Sequence, residues 1–254
     1  MMLRPGFYDE DRFDRSKRIE WLDIDKIHEA RCLVVGAGAL GNEVVKDLVL
    51  SGFRNITVVD MDDIVLSNLN RCIFFRSGDV GKVMKSEIVA ERASELDPDV
   101  KITPLVIRIQ ELKDWDYDIA LGCLDNISAR LHLNAHSKFC NIPYVDGATD
   151  GFMGKVNVVL KGGPCLQCMM NRTHSRVVDE RFSCTGDKRQ FTPRTAAEIT
   201  TTSIVAAIQV REALKIISGK QETCINTTYY NGVIGETFNV TSPVDPNCPN
   251  HGGN

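Results

Sequence analysis

The chain has 254 residues, of which 43% are apolar and 25% charged, and it carries a formal net charge of −4. This composition is typical of a soluble globular protein, and the slightly acidic balance argues against a nucleic-acid-binding surface. No apolar run is long enough to cross a bilayer, and the charged amino-terminal residues lack the apolar core of a signal peptide. The nine cysteines therefore predict reduced thiols, used for metal or nucleophile chemistry, and a cytoplasmic location.

Strands and helices alternate along the first half of the chain. A helix with apolar residues at helical spacing follows the first strand, and two more helices are predicted at 85–96 and 126–140. Short apolar or β-branched runs predict strands at 32–35, 56–59, 100–106, 118–123 and 142–147. This alternation predicts an α/β protein with a Rossmann-like, doubly wound sheet of parallel strands.

The pattern changes in the second half. Residues 155–160 alternate at period two, which is typical of an antiparallel strand, and further strands are predicted at 226–230 and 236–240. A helix at 199–217 ends at Ser218-Gly219, and the polar stretch at 172–198 is predicted to be a long mobile loop. We therefore expect a single domain over residues 1–254, in which an antiparallel extension follows the parallel half.

A glycine turn follows the first strand and precedes a helix. Its glycines, Gly36, Gly38 and Gly41, have the spacing that allows a tight turn, close approach of phosphates and close helix–strand packing. Asp60 ends the next strand, where a carboxylate can accept hydrogen bonds from ribose hydroxyls. This combination predicts a nucleotide site rather than an ordinary tight turn.

The segment after Asp60 is a polar loop, whereas a dehydrogenase of this fold would continue directly into its next helix. Arg71 and a nearby lysine provide the positive charge that clamps a triphosphate. Asp125 follows the fourth predicted strand and therefore faces the crevice at the carboxyl ends of the parallel strands, beside the phosphate site. A carboxylate at this place is a natural ligand for Mg²⁺. The alternatives are solvated surface charges and, for Asp125, a helix N-cap.

Two short pairs of metal ligands lie far apart in the second half. The first is Cys165-x-x-Cys168 and the second is Cys248-x-x-His251. Together they have the composition of a closed structural Zn²⁺ site, although a redox CxxC or unconnected thiols remain alternatives. A further cysteine, Cys184, lies in the polar loop among basic residues that favour the thiolate, which makes it a candidate nucleophile, with a spare loop cysteine as the alternative. The other five cysteines are assigned to packing.

The motifs at 36–41, 59–62, 67–71 and 123–126 together resemble the adenylation domain of E1-like activating enzymes, the ThiF/MoeB/HesA superfamily. The resemblance covers essentially residues 8–251, and residues 51–71 are especially similar to the catalytic subunits of neddylation E1s. It implies that Mg·ATP adenylates the C-terminal carboxylate of a ubiquitin-like β-grasp protein ending in Gly-Gly. By position in the motifs, Asp60 and Asp62 belong to the nucleotide site, Asn68 and Arg71 hold phosphates, and Asp125 holds Mg²⁺.

The resemblance also implies roles for a lysine, an arginine and a cysteine. The family pattern Asp-Ile-Gly-x-x-Lys is one residue longer here, and Lys85, which precedes its helix as the family lysine does, is preferred to Lys82. Arg15 matches an arginine that reaches the ATP of a partner subunit, which implies a homodimer. Cys184 matches the E1 cysteine, which takes the substrate as a thioester for transfer to an E2-type carrier.

Other functions remain open at this point. The same fold supports adenylyltransferases that pass the acyl-adenylate to a sulfur donor, and a non-catalytic E1 partner subunit is a third hypothesis. A NAD dehydrogenase is disfavoured by the 62–71 loop and by the lack of a hydride-site histidine. The length leaves no room for a separate cysteine domain or a C-terminal ubiquitin-fold domain, so we expect a minimal E1.

Overall fold

The computed structural model describes residues 9, 11–170 and 196–251. Its helices are, in chain order, α1 (Ile24–Glu29), α2 (Ala39–Ser51), α3 (Lys85–Ser94), α4 (Ile127–Phe139), α5 (Leu166–Met169) and α6 (Ile199–Ile217). Its strands are β1 (Arg31–Val35), β2 (Asn55–Val59), β3 (Lys101–Leu105), β4 (Ile119–Gly122), β5 (Tyr144–Asp150), β6 (Met153–Val159), β7 (Thr227–Asn231) and β8 (Glu236–Val240). Among the described helices, none combines the length and the hydropathy that a membrane crossing requires.

The strands form one eight-stranded sheet in the order β3-β2-β1-β4-β5-β6-β7-β8. The first five are parallel, with α2, α3 and α4 in three of the four crossovers and only a short 3₁₀ turn between β3 and β4, and β6, β7 and β8 are joined to them as antiparallel neighbours. The predicted Rossmann-like sheet with an antiparallel C-terminal extension is therefore confirmed.

Helices cover the two faces of the sheet unequally. One apolar core lies between the sheet and α2, α3 and α6, while a smaller core lies on the other face under α4, α5 and the C-terminal tail. Alternate residues of β1 serve the two cores: Cys32 and Val34 face the first, and Leu33 and Val35 the second. A strand buried on both faces explains why 32–35 is apolar without alternation.

The predicted bounds were wrong around β5 and β6. β5 runs on to Asp150, beyond the expected end at 147, because only Tyr144–Asp146 pair with β4 whereas the whole strand pairs with β6. β6 accordingly begins at Met153, two residues before the predicted start. The resulting hairpin brings the chain back across the sheet, and Gly151 N donates to Ala196 O at 2.9 Å where the chain re-enters the described part.

Two predictions about single residues have different outcomes. α6 ends as expected: Ser218 is its C-cap, and Gly219, with φ +73°, donates to Ile216 O at 3.1 Å. Cys140, in contrast, was assigned to packing, but it is the C-cap of α4 and is exposed there. Of the other four packing cysteines, Cys32 and Cys72 are buried, and Cys123 and Cys224 are half-buried.

Candidate functional site

The candidate nucleotide site lies where two neighbouring parallel strands diverge. β1 and β4 are paired side by side, but β1 leads into α2 on one face of the sheet and β4 leads into α4 on the other. A crevice opens at the carboxyl ends of strands at such a switch in topology, and ligands of open α/β sheets bind there. We call this place the crevice. The glycine turn and the segment around Asp125 form its two sides.

The three glycines of the turn have different surroundings. Gly36 has φ +98°, and a Cβ on it would lie 2.4 Å from Cys123 O. A Cβ on Gly41 would lie 1.9 Å from Gly36 O, whereas one on Gly38 would have no atom within 4 Å. Gly36 and Gly41 thus allow the turn to pack tightly, and Gly38 leaves open space at the start of α2.

Asp60 connects the glycine turn to the loop that follows β2. Its Oδ2 accepts a hydrogen bond from Ala37 N at 2.6 Å, and its Oδ1 accepts one from Asp62 N at 2.8 Å. Burial raises the pKa of Asp60, and the Lys85 ammonium with the two N–H donors offsets part of that rise. Each carboxylate oxygen keeps a second lone pair for a ligand.

Lys85 and Asp62 meet beside Asp60. Lys85 Nζ lies 2.9 Å from Asp62 Oδ2, and the lysine side chain is only 12% exposed. Ser86, the next residue of α3, donates from Oγ to Asp60 O at 3.1 Å and holds the start of the helix against β2. Lys82 is exposed. Of the two candidate lysines, Lys85 is therefore the one that the fold places next to Asp60.

Asn68 and Arg71 are engaged within their own loop. Asn68 Oδ1 accepts from Val65 N at 3.0 Å in a short 3₁₀ turn, and the Arg71 guanidinium donates to Ser67 O and to Asn70 Oδ1. The described contacts of Arg71 do not reach the glycine turn. Phosphate binding by this arginine would require its guanidinium to exchange these partners for a ligand.

A buried amide that the sequence reasoning missed joins this loop to the glycine turn. Asn42 Nδ2 donates to Ala37 O at 2.9 Å and to Gly38 O at 3.0 Å, and its Oδ1 accepts from Phe74 N at 3.0 Å. Asn42 is fully buried in α2. The sequence offered one signal for this role: Asn42 is a polar residue on the apolar face of the helix, directly after the third glycine.

Asp125 lies on the opposite side of the crevice. It is exposed, and it makes no hydrogen bond or ion pair with any residue that the structure describes. The N-cap of α4 is its neighbour Asn126, whose Oδ1 accepts from Ala129 N at 2.8 Å. The capping alternative for Asp125 is therefore wrong, and its carboxylate is available to a cation.

A buried ion pair, also missed from the sequence, lies behind Asp125. Arg130 of α4 donates from Nε to Asp146 Oδ1 at 2.9 Å and from Nη2 to Asp146 Oδ2. Burial alone would lower the pKa of Arg130, but the facing carboxylate of Asp146 outweighs it and the net shift is upward. The arginine and the aspartate are 16 residues apart, so no local motif marks the pair.

The four predicted zinc ligands meet on the α4 face, and we call them the cysteine cluster. Cys165 Sγ lies 3.7 Å from Cys168 Sγ and 3.5 Å from Cys248 Sγ, and the ligand atoms of these three and His251 all lie within 4.8 Å of one another. Thiolates bound to one tetrahedral Zn²⁺ are about 3.8 Å apart, as Zn–S bonds of about 2.3 Å require. The arrangement fits that ion.

Other features of the cysteine cluster also fit a cation. His251 Nε2 is buried without a hydrogen-bond partner among the described residues. Asp245 N donates to Cys168 Sγ at 3.5 Å, and Asn250 Nδ2 donates to Cys165 Sγ at 3.6 Å, which are contacts that stabilise thiolates. Burial raises the pKa of the Cys248 thiol to about 12, and a bound cation would favour its deprotonated form.

Two further candidates lie near or beyond the ends of the described segments. Arg12 is held within its own chain, donating to Leu96 O at 2.9 Å and pairing with Asp97 Oδ1 at 3.0 Å. Arg15, one turn later, is exposed: its backbone carbonyl accepts from Arg18 N at 3.3 Å, but its guanidinium makes no hydrogen bond or ion pair with the described residues. Cys184 and nearly all of the 172–198 loop lie outside the described residues.

Comparison with known proteins gives a family match over most of the chain. The model of the ThiF family matches residues 14–250. Over 158 residues the chain is 44% identical to the NEDD8-activating enzyme E1 catalytic subunit of Arabidopsis thaliana, a match that covers 54% of the chain and 34% of that protein. Over 150 residues it is 37% identical to SUMO-activating enzyme subunit 2 of Dictyostelium discoideum, covering 57% and 22%. The aligned part is thus about a third or less of each relative.

Solved structures share the fold. The crystal structure of E. coli MccB with ATP superimposes with a TM-score of 0.77 at 20% identity, and the match covers 96% of this chain and 75% of that one. The structure of E. coli MccB without a named ligand gives a TM-score of 0.79 at 18% identity. At this identity the likeness shows a common fold.

Proposed function

The chain belongs to the ThiF family, and from this membership and the geometry of the crevice we propose that it adenylates the C-terminal carboxylate of a ubiquitin-like protein with Mg·ATP. The observation that carries the proposal is the convergence at one edge of the sheet. An open glycine turn, a carboxylate next to it, a half-buried lysine and an aspartate without a partner among the described residues lie around the switch between β1 and β4. The E1 names of the relatives support a ubiquitin-like substrate.

The glycine turn and Asp60 form the seat for the nucleotide. The open space at Gly38 admits phosphate oxygens to the first N–H groups of α2, where the helix dipole favours negative charge. Asp60 is fixed by Ala37 N and Asp62 N, so its remaining lone pairs accept hydrogen bonds from the ribose hydroxyls. The base and ribose then lie toward β2, and the phosphates lie toward β4.

Positive charge around the phosphates comes from three side chains. Lys85 lies beside Asp60 and Asp62. Arg71 turns from Ser67 O and Asn70 to the phosphates when the nucleotide binds, and Asn68 holds the loop that carries it. Arg15 of a second copy completes the set in a homodimer; its exposed position, next to an Arg12 anchored in its own chain, supports this role. Preorganised charge is the main source of catalysis in phosphoryl-type transfers.

The chemistry has two steps. A carboxylate oxygen of the terminal glycine attacks the α-phosphorus, the bond to the β-phosphate oxygen breaks, and pyrophosphate leaves with that electron pair. The Cys184 thiolate then attacks the acyl carbon, a thioester forms, and AMP leaves, ready for transfer to an E2-type carrier. Asp125 would hold Mg²⁺, which neutralises charge on the phosphates when bound.

The cysteine cluster has a structural role in this proposal. Its ligands come from the turn after β6 and from the C-terminal tail, so a bound Zn²⁺ would tie the tail to the sheet. A four-ligand site leaves no open position for catalysis.

The test is pyrophosphate exchange into ATP, measured with a ubiquitin-like protein ending in Gly-Gly. We expect exchange that depends on this protein and on Mg²⁺, followed by a covalent adduct that thiols release. Cys184→Ala should keep the exchange and lose the adduct. An exchange-active enzyme that makes a thiocarboxylate without Cys184 would instead be an adenylyltransferase serving a sulfur donor. A protein stabilised against heat by NAD rather than by Mg·ATP would contradict both.

A further inference from the structure

The strongest feature outside the residues assigned above is the carboxylate of Asp146. Asp146 is completely buried in β5, next to Gly122, the last residue of β4. All the lone pairs of its two oxygens are used. Oδ1 accepts from Arg130 Nε at 2.9 Å and from Tyr144 Oη at 2.6 Å, and Oδ2 accepts from Arg130 Nη2 and from Asn157 Nδ2 at 3.2 Å. These four donors hold the Asp146 carboxylate in a single orientation.

The surrounding side chains are built to allow this arrangement. A Cβ at Gly122 would lie 2.5 Å from Tyr144 Oη, so the glycine leaves room for the phenol to reach Asp146. Asn157, itself fully buried, is oriented in turn by Thr227, whose Oγ1 donates to Asn157 Oδ1 at 3.0 Å. The network therefore extends from β5 across β6 to β7.

The only charged partner of Asp146 within the described network is Arg130, and this arginine belongs to the first turn of α4. Arg130 N donates to Asn126 O at 3.2 Å, and Asn126 caps the helix through Ala129 N at 2.8 Å. Asp125 immediately precedes this cap. The bidentate contact to Asp146 thus fixes the end of the helix from which Asp125 projects.

A buried ion pair is a costly way to stabilise a fold, since apolar residues of the same volume often serve as well. Such a pair is useful where two elements of the fold must be held in one fixed arrangement. We infer that Arg130 and Asp146 are positioning residues, which fix the first turn of α4 and so keep the Asp125 carboxylate where a divalent cation meets the phosphates. The inference rests on the proposed function, because it assigns the cation site to Asp125.

The experiment measures cation binding directly. Mn²⁺ is titrated into the full-length protein with a non-hydrolysable ATP analogue, and free Mn²⁺ is followed by electron paramagnetic resonance. We expect Arg130→Lys and Asp146→Asn each to weaken Mn²⁺ binding by about tenfold, as is usual when a group that orients a metal ligand is lost. Binding of the analogue without metal should not change.

Three further variants separate positioning from stability. Tyr144→Phe removes one of the four donors and should fold normally, with Mn²⁺ affinity lower by about twofold to threefold. The double variant Arg130→Met with Asp146→Leu removes both charges; it should recover the melting temperature without recovering Mn²⁺ affinity. Asp118→Asn is the control for loss of an ion pair elsewhere, because Asp118 forms an exposed bidentate pair with Arg31, at 3.1 and 3.2 Å, at the opposite ends of β1 and β4.

The outcomes distinguish the inference from the proposed function. If the unmodified protein with the analogue binds no Mn²⁺, the proposed function fails. If it does bind Mn²⁺, but the double variant and Tyr144→Phe bind it with unchanged affinity, the pair is only structural and the inference is overturned. An equal loss of affinity in Asp118→Asn would also overturn it.

Discussion

In the crevice, most candidate residues lie between Gly36 and Lys85, Asp125 joins them from the end of β4, and two backbone N–H groups hold Asp60 in place. In the cysteine cluster, the ligands come from two segments, Cys165 and Cys248 being 83 residues apart, and Cys165 Sγ contacts the sulfur atoms of Cys168 and Cys248. Asp60 contacts two backbone N–H groups, whereas His251 Nε2 is buried and contacts no described hydrogen-bond partner. Backbone hydrogen bonds thus hold Asp60 in the crevice without a ligand, whereas in the cysteine cluster a bound ion would supply the partner that His251 Nε2 lacks among the described residues. Changes in the crevice should therefore alter activity, and changes in the cysteine cluster should alter stability.

The largest expected effect concerns the two lysines that compete for the phosphate role. Lys85→Ala removes a cation that the fold holds beside Asp62, and we expect pyrophosphate exchange to fall by about 10²-fold, with little change in melting temperature. Lys82→Ala is the matched control and should alter exchange by less than about threefold, since Lys82 is exposed. If pyrophosphate exchange fell more in Lys82→Ala than in Lys85→Ala, the assignment of the phosphate role to Lys85 would be wrong.

The second effect concerns the cysteine cluster. Cys248→Ala removes one of four ligands, and we expect zinc content to fall from about one ion per chain and the free energy of unfolding to fall by roughly 3 kcal/mol. That loss corresponds to a melting temperature lower by about 6–12 °C. The exposed Cys140 provides the control, and Cys140→Ala should leave both quantities unchanged. Full zinc content in Cys248→Ala would contradict the ligand set.

A smaller effect separates packing from binding within the glycine turn. Gly41→Ala places a Cβ 1.9 Å from Gly36 O, so we expect it to cost about 2 kcal/mol of stability. Gly38→Ala meets no atom within 4 Å and should leave stability within about 0.5 kcal/mol, while ATP affinity falls by at least about tenfold. Thermal melts and nucleotide titrations on the two variants check this. Unchanged ATP affinity in Gly38→Ala would place the phosphates elsewhere.

The smallest effect lies outside both sites, at the start of α6. Hydrogen bonds from Thr200 and Thr201 lower the pKa of Glu198 from 4.5 to about 2. A depressed carboxyl pKa stabilises the fold above pH 4.5, and this contribution is lost as the pH falls toward 2. Glu198→Gln should therefore melt below the unmodified protein at neutral pH, and the difference should shrink through this window. If the difference in melting temperature grew on acidification, the ionised Glu198 carboxylate would not be the form that stabilises the fold.

Local patterns made much of the fold and the crevice predictable. The glycine spacing, the β-branched runs and Asp60 are close enough in sequence for one βαβ unit to be recognised, and α6 has the predicted bounds. Asp125 and Lys85 were named because each follows or begins a regular element. The cysteine cluster was predicted from the ligand chemistry of its two pairs and from the family resemblance, since the pairs are far apart in the sequence.

What the sequence did not reveal depends on tertiary contacts. Arg130 and Asp146 belong to different elements, and each alone has the properties of an ordinary surface charge. Asn42 was missed and Cys140 was misassigned because burial was inferred from apolar neighbours in the sequence. In the structure Asn42 is buried against the glycine turn, and Cys140 is exposed at the end of α4. The extra length of β5 follows from its second neighbour, β6, which no pattern within β5 indicates.

The central claim is that the crevice binds Mg·ATP and transfers AMP to a protein carboxylate. Pyrophosphate exchange with a ubiquitin-like protein ending in Gly-Gly tests it most directly, with the same protein lacking its last two glycines as the control. We expect exchange with the complete protein and none with the truncated one. Exchange that is equal with both, or absent with every such protein although Mg·ATP binds, would contradict the claim.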